Sequence, residues 1–191
     1  MIIGITGITG SGKTTLLTAL AEAGATVLDC DAIYHQLLQQ DPQLLAAIEA
    51  RFPGTVENGI LQRKKLGAIV FSDTAALSDL NRITHAAIHE EVLRQLAQQP
   101  AIAAIDAIAL FESGLNEMCD VTVAIIAPDQ LRLERLMQRD GISEEYARQR
   151  IQAQHSDDWF REKCDYTLEN DGSPADFQGK CLAFFHEIGI M

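Results

Sequence analysis

Residues 7 to 14 read Gly-Ile-Thr-Gly-Ser-Gly-Lys-Thr, a glycine, four residues, then Gly-Lys-Thr. That spacing suits one kind of chemistry. Glycines let successive backbone N–H groups turn inward around phosphate oxygens, and the start of a following helix adds its dipole. Lys13 places a point charge on the β and γ oxygens of a triphosphate, and the Thr14 hydroxyl can ligate Mg²⁺. Gly10, Ser11, Gly12, Lys13, Thr14 and Thr15 are therefore expected to hold the phosphates of a nucleoside triphosphate. The plainer reading is a strand–turn–helix joint that needs glycine only for sharpness.

Carboxylates and arginines further along could complete such a site. The apolar run Ile102 to Ile105 ends at Asp106, the form of a strand that delivers a magnesium-side acid. Asp29 and Asp31, after another short apolar run, compete for the same work. Arg132, Arg135 and Arg139 are spaced i, i+3, i+7 and fall within about 60° on one helical face. Like charges so placed repel weakly, and a face of this kind favours binding phosphate. The alternative is a solvated stripe with Asp129 paired to Arg132.

The elements that must position these residues alternate in type. Strands are expected at Met1 to Thr6, Thr26 to Leu28, Ile102 to Ile105, Val121 to Ala127 and near Tyr166 to Leu168. Helices are expected at Thr14 to Ala23 and at about 32–39, 43–52, 62–71, 75–98, 129–139, 144–155 and 175–187. Alternation of this kind means βαβ units: an α/β fold with a five-stranded parallel sheet and helices on both faces. The interval 32–100 contains no expected strand and reads as a helical insertion on the same domain. A single domain over 1–191 is expected, with a core of about 1–31 and 100–191, an insertion of about 32–99 and a lid of about 140–163.

Bulk composition agrees with a globular chain: 191 residues, 47% apolar and 22% charged. A net charge of −12 argues against nucleic-acid binding, though not against a small anion in a local basic pocket. Residues 132 to 163 hold seven of the fifteen Lys and Arg. No apolar run is long enough to span a bilayer, and MIIGITG reads as a strand rather than a signal peptide, so no membrane and a cytoplasmic location are expected. Cys30, Cys119, Cys164 and Cys181 lack metal-ligand spacing and read as packed, reduced thiols.

Taken in order, the motifs resemble the dephospho-CoA kinase family over nearly the whole chain. GITGITGSGKTT is similar to that family's opening loop, DCDAIYH at 29–35 to its D-A-D segment, and GILQRKKLGAIVF at 59–71 to its G-x-L-x-R-x-x-L stretch. LNRITHAAI, ALFESGL, RLMQRDGIS and CDYTLEND follow in the family's order. The resemblance implies a P-loop NTPase-type core, a helical acceptor-binding region and a lid. It also implies ATP with Mg²⁺, phosphorylation of the ribose 3′-hydroxyl of dephospho-CoA, and a monomer or weak homo-oligomer. Carried over by position, Asp31 would be the base or orienting carboxylate, with Lys13 and Arg139 also catalytic. Arg135 and Arg139 would meet ATP phosphates. Asp31, His35, Arg63, His85 and Glu112 would line the acceptor site, and Thr14 and Asp106 would face the metal. Asp31 could instead cap the helix that follows it.

The chain departs from the family pattern at Ile8 and Thr9, at Ala86 after His85, at Ile108 and Ala109, and at Phe160, where lysine is common. Arg161 or Lys163 could substitute for that lysine. Another small-molecule kinase of the same loop type would not call for the HAAI and LFESGL segments. A GTP switch would want N-K-x-D, which does not occur. A decayed kinase would not need intact Lys13, Thr14 and Asp31.

Overall fold

The computed structural model describes residues 1–190 as two compact units, one of residues 1–27 with 100–190 and the other of Leu28–Gln99. A five-stranded sheet is built from β1 (Ile2–Gly7), β2 (Thr26–Asp29), β3 (Ala103–Asp106), β4 (Val121–Ile126) and β5 (Tyr166–Glu169). Its spatial order is β2-β3-β1-β4-β5. β1 pairs in parallel with β3, placing Ile5 beside Asp106, and with β4, placing Gly7 beside Ile125. Parallel pairing continues from β4 to β5.

Both faces of this sheet are covered, and β4 shows how. Val121, Val123 and Ile125 point into one apolar cluster with Ile3, Ile5, Leu16, Leu20, Phe177, Phe184 and Phe185. That cluster is supplied by α1 (Lys13–Glu22) and the last helix, Pro174–Glu187. Ala124 and Ile126 point the opposite way, against Ile8, Phe160 and Cys164. Two-residue alternation with both faces buried is what makes the strand read as one unbroken apolar run. The last helix begins with a capping box between Ser173 and Asp176, with Pro174 in its first turn.

In the same unit, α6 spans Asp129–Asp140 and α7 spans Glu144–Gln152. A further helix, α8 (Asp157–Lys163), for which no separate helix is expected from the sequence, ends the 140–163 segment, and a short 3₁₀ turn covers Leu115–Met118. Phe160 explains the lysine departure. It is buried at 3% exposure and anchors α8 on β4, so that position does apolar work here. Burial pushes the thiols of Cys119 and Cys164 up to about 12 and that of Cys181 up to about 11, as expected for packed rather than reactive cysteines.

The Leu28–Gln99 unit contains α2 (Cys30–Gln40), α3 (Pro42–Arg51), α4 (Arg63–Val70) and α5 (Thr74–Leu96). The long α5 packs against the other three. Leu38, Leu44, Leu45, Ile48, Phe52, Leu66, Val70 and Ala76 form the shared core. Aspartates start three of these helices: Asp29 accepts from Ala32 N–H, Asp41 from Gln43 and Leu44 N–H, and Asp73 from Ala75 and Ala76 N–H. The expectation of an all-helical interval is corrected by a two-stranded hairpin, Val56–Glu57 with Ile60–Leu61. Its turn residues Asn58 and Gly59 both have positive φ, 51° and 75°. Asn-Gly is favoured there because it tolerates the left-handed pair that a two-residue hairpin loop needs.

Phe184 is 2% exposed and meets Tyr166 edge-on at 5.2 Å between ring centroids. Phe184→Ala is expected to lower unfolding free energy by about 3–5 kcal/mol. Urea denaturation followed by circular dichroism measures it; a midpoint within error of the parent would show that this face is not the core.

Candidate active site

The loop from β1 to α1 has the form its glycines suggest. Gly12 stands before α1 with φ 98°, a left-handed conformation that favours glycine, and no side chain caps the helix. No side chain competes at the start of α1, the place where a helix dipole favours an anion, while Thr15 N–H donates to the Gly12 carbonyl at 3.1 Å. Lys13 Nζ donates to the Gly7 carbonyl at 3.1 Å, which folds the ammonium back along the loop. Ser11 Oγ is buried and makes no hydrogen bond with protein. Thr14 and Thr15 are exposed in the first turn of α1.

The outer side of the loop is held by side chains from three other segments. Arg135 Nη1 donates to the Gly10 and Ser11 carbonyls, both at 3.3 Å. Asn170 Nδ2 donates to the Ser11 carbonyl at 2.8 Å, and Asn170 Oδ1 accepts from Arg135 Nη2 at 3.4 Å. Thr9 N–H donates to Gln154 Oε1 at 2.8 Å. Arg135 is thus brought to the loop, where its guanidinium engages backbone carbonyls. Neither Asn170 nor Gln154 is picked out by sequence reasoning. Asn170 lies in the segment CDYTLEND, whose resemblance carried no role for it.

The three arginines of α6 do not act as one phosphate-binding surface; each has different partners. Arg132 is 3% exposed and ion-paired with Asp157 at 2.7 Å and with Asp129. It ties α6 to the start of α8, so the pairing with Asp129 is found, but between a buried guanidinium and an exposed carboxylate rather than on a solvated stripe. Arg139 is largely exposed and donates through Nε and Nη2 to the two oxygens of Asp140, at 2.7 and 3.0 Å. Arg150 adds a third bond to Asp140 at 2.6 Å. Hydrogen bonding from Arg139 and then Arg150 holds the Asp140 carboxyl at about 2, well below its ordinary value. Asp140 in turn raises Arg139. Arg139 therefore stands at the C-terminal end of α6 with its fork engaged by a neighbour.

Among the other expected residues, Asp106 ends β3 beside Ile5, two residues before the loop begins, with one carboxylate oxygen buried. Asp29, not Asp31, caps α2, accepting from Ala32 N–H at 2.9 Å. This corrects the cap alternative for Asp31, which sits exposed in the first turn of α2, where the helix dipole favours its charge. In that unit Arg63 and His35 come together, Nη2 to Nδ1 at 3.4 Å, while His85 lies half-buried on α5. Burial raises the Tyr34 hydroxyl, and Arg63 opposes that rise. Glu112 belongs to the sheet unit, where it pairs with His155 Nε2 at 2.6 Å. The His155 ring stacks on Trp159 at 3.8 Å. Arg161, one of the two possible lid cations, is paired with Glu169.

Magnesium fits this donor set. Among the described residues no group of three or more His, Cys, Asp or Glu forms a resident metal site. A magnesium ion that takes most of its ligands from phosphates and water needs only one or two protein oxygens. The exposed Thr14 hydroxyl and the Asp106 carboxylate are of that type.

The parallel sheet and its glycine loop define a P-loop kinase-type phosphotransferase. A family model described as dephospho-CoA kinase matches residues 1–176. The chain belongs to the dephospho-CoA kinase family. It is 37% identical to a dephospho-CoA kinase of Anaeromyxobacter dehalogenans over 94% of this chain and 88% of that one. A dephospho-CoA kinase of solved structure from Campylobacter jejuni superposes with a TM-score of 0.69 at 29% identity, covering 100% of this chain and 98% of the other. A Thermus thermophilus protein superposes with a TM-score of 0.82 at 32% identity, over 98% and 97% of the two chains. Shikimate kinase from Acinetobacter baumannii, at 22% identity and a TM-score of 0.52 over 97% and 93%, shares the fold.

Lys13→Ala is expected to lower kcat by about 10² or more while the far-ultraviolet circular dichroism stays that of the parent. Turnover near the parent value at saturating substrates would remove the loop from the chemistry.

Proposed function

We propose that this chain transfers the terminal phosphoryl group of ATP to the ribose 3′-hydroxyl of dephospho-CoA, giving coenzyme A and ADP. The observation that carries the reading is the loop 7–14, its helix start uncapped and its carbonyls turned away, in a chain of this family. Phosphoryl transfer leaves little covalent work to a protein; positioning and charge compensation do most of it. The N–H groups at the start of α1 and the Lys13 ammonium would hold the β and γ phosphates. Mg²⁺, with Thr14 and Asp106 as its protein-side oxygens, would supply further charge compensation between those phosphates.

Asp31 is read as the carboxylate that accepts the hydrogen bond of the attacking hydroxyl. As the 3′ oxygen bonds to the γ phosphorus, the bond from that phosphorus to the β-phosphate oxygen breaks and the hydroxyl proton is released toward the carboxylate. Freed from capping by Asp29, Asp31 has no competing structural duty there. Arg139 is read as leaving Asp140 to meet phosphate oxygens when nucleotide is bound, since a guanidinium fork engages either partner in the same way. The Leu28–Gln99 unit, with His35, Arg63 and His85, is read as the acceptor-binding part, and residues 140–163 as the lid. Glu112 enters the same reading as a residue exchanging His155 for acceptor. A monomer or weak homo-oligomer in the cytoplasm completes the proposal; no helix among the described residues is long and apolar enough to cross a membrane.

Asp31→Asn should lower kcat by about 10²-fold or more with the melting temperature almost unchanged, because the cap belongs to its neighbour. A stability loss with parent-like kcat would assign Asp31 to structure. The acceptor is tested by coupled ADP release and by mass spectrometry of the product. Dephospho-CoA should be used well and adenosine far less, with losses in kcat as well as in affinity, since remote contacts position the reacting hydroxyl. Phosphorylation of a nucleoside monophosphate with dephospho-CoA left untouched would overturn the acceptor assignment.

A further inference from the structure

The outer contacts of the phosphate loop have a consequence for its inner face. In a trans peptide the carbonyl and the following N–H lie in one plane and point in opposite directions. The Ser11 carbonyl is gripped from outside by Asn170 Nδ2 at 2.8 Å and Arg135 Nη1 at 3.3 Å. The Gly12 N–H of the same peptide unit must then face the interior of the loop. Asn170 is 5% exposed, and its own backbone N–H donates to the Ile126 carbonyl at 2.8 Å, extending the β4–β5 ladder by one residue. The sheet therefore sets where the amide stands. A methyl at Gly12 would overlap the Asn170 amide nitrogen, so the two residues are fitted to each other.

We propose that Asn170 is a positioning residue for phosphoryl transfer, one that holds the Ser11 carbonyl and the Arg135 guanidinium together so that the loop is set for a triphosphate before nucleotide arrives. It touches no reacting atom. Its amide supplies what a carboxylate or an alkyl group cannot: a donor to the loop carbonyl and an acceptor for Arg135 on one planar group. Arg135 acts in part through the same carbonyls, since its bonds to Gly10 and Ser11 lie on the outer side. The proposal rests on reading the loop as the triphosphate site and is independent of which acceptor is phosphorylated.

Two variants test it. Asn170→Ala removes both bonds. Asn170→Asp keeps the volume and the acceptor for Arg135 but sets a carboxylate oxygen against the Ser11 carbonyl, and it guards against a failure of the alanine variant to fold. Steady-state kinetics in both substrates are measured beside melting temperature with and without ADP. The expected result is a KM for ATP raised about tenfold, a KM for dephospho-CoA within about twofold of the parent, and an ADP-induced rise in Tm cut by half or more. An ATP KM and an ADP-induced shift equal to the parent's, in a variant that melts cooperatively, would overturn the proposal. So would an equal rise in both KM values with a lowered Tm, the pattern of general loosening. If the parent does not turn over dephospho-CoA, the acceptor reading fails, and the ADP-induced shift still decides the role of Asn170.

Discussion

A loop can offer its N–H groups to phosphate only if its carbonyl groups are satisfied elsewhere. This constraint governs the sheet unit. Glycine permits the required backbone at Gly12, but permission is not enforcement, and an unattached glycine loop samples many conformations. Enforcement comes from Arg135 and Asn170 on the Ser11 carbonyl and from Gln154 on the Thr9 N–H. Each is positioned by a different element: α6, the end of β5, and the chain just after α7.

Those elements are held in turn by burial. The inner stripe of α6, Leu133 and Leu136, packs with Ala147 of α7. A methyl at Gly10 would come within 2.8 Å of the Arg132 carbonyl, so loop and helix approach as closely as backbones allow. Arg132 itself joins α6 to α8 through Asp157. Arg132 is the buried member, so losing Asp157 would cost more than the pair contributes, because a guanidinium in a poor solvent would lose a partner. The charge of Arg132 thus fixes geometry, while Arg139, exposed and held at one neighbouring carboxylate, keeps a guanidinium accessible to an anion.

Some of what the sequence left out was present as a signal. Asn58-Gly59 between Val56–Glu57 and Ile60–Leu61 is a strong short-range hairpin indicator, and it is hidden only by the helical patterns on both sides of it. The choice between Asp29 and Asp31 as helix cap could not be made from residue type, since both are acceptable caps two residues apart. Other features had no local mark. Asn170 follows a strand as any polar residue would, and its partners lie 159 and 35 residues away along the chain. Phe160 in place of a lysine reads as a departure until its burial against β4 is seen.

What the sequence determined by itself is what depends on short separations: the glycine–lysine–threonine spacing, the helix and strand periods, and the alternation that makes the sheet parallel. These follow from backbone sterics and from one face of each element being apolar. What only the tertiary structure decided is the division of labour among like residues. Arg132, Arg135 and Arg139 share a type and a helical face, yet one is buried in an ion pair, one grips the phosphate loop and one stands at the surface. Periodicity places side chains around their own helix; which neighbours lie beyond each position depends on packing between elements distant in sequence.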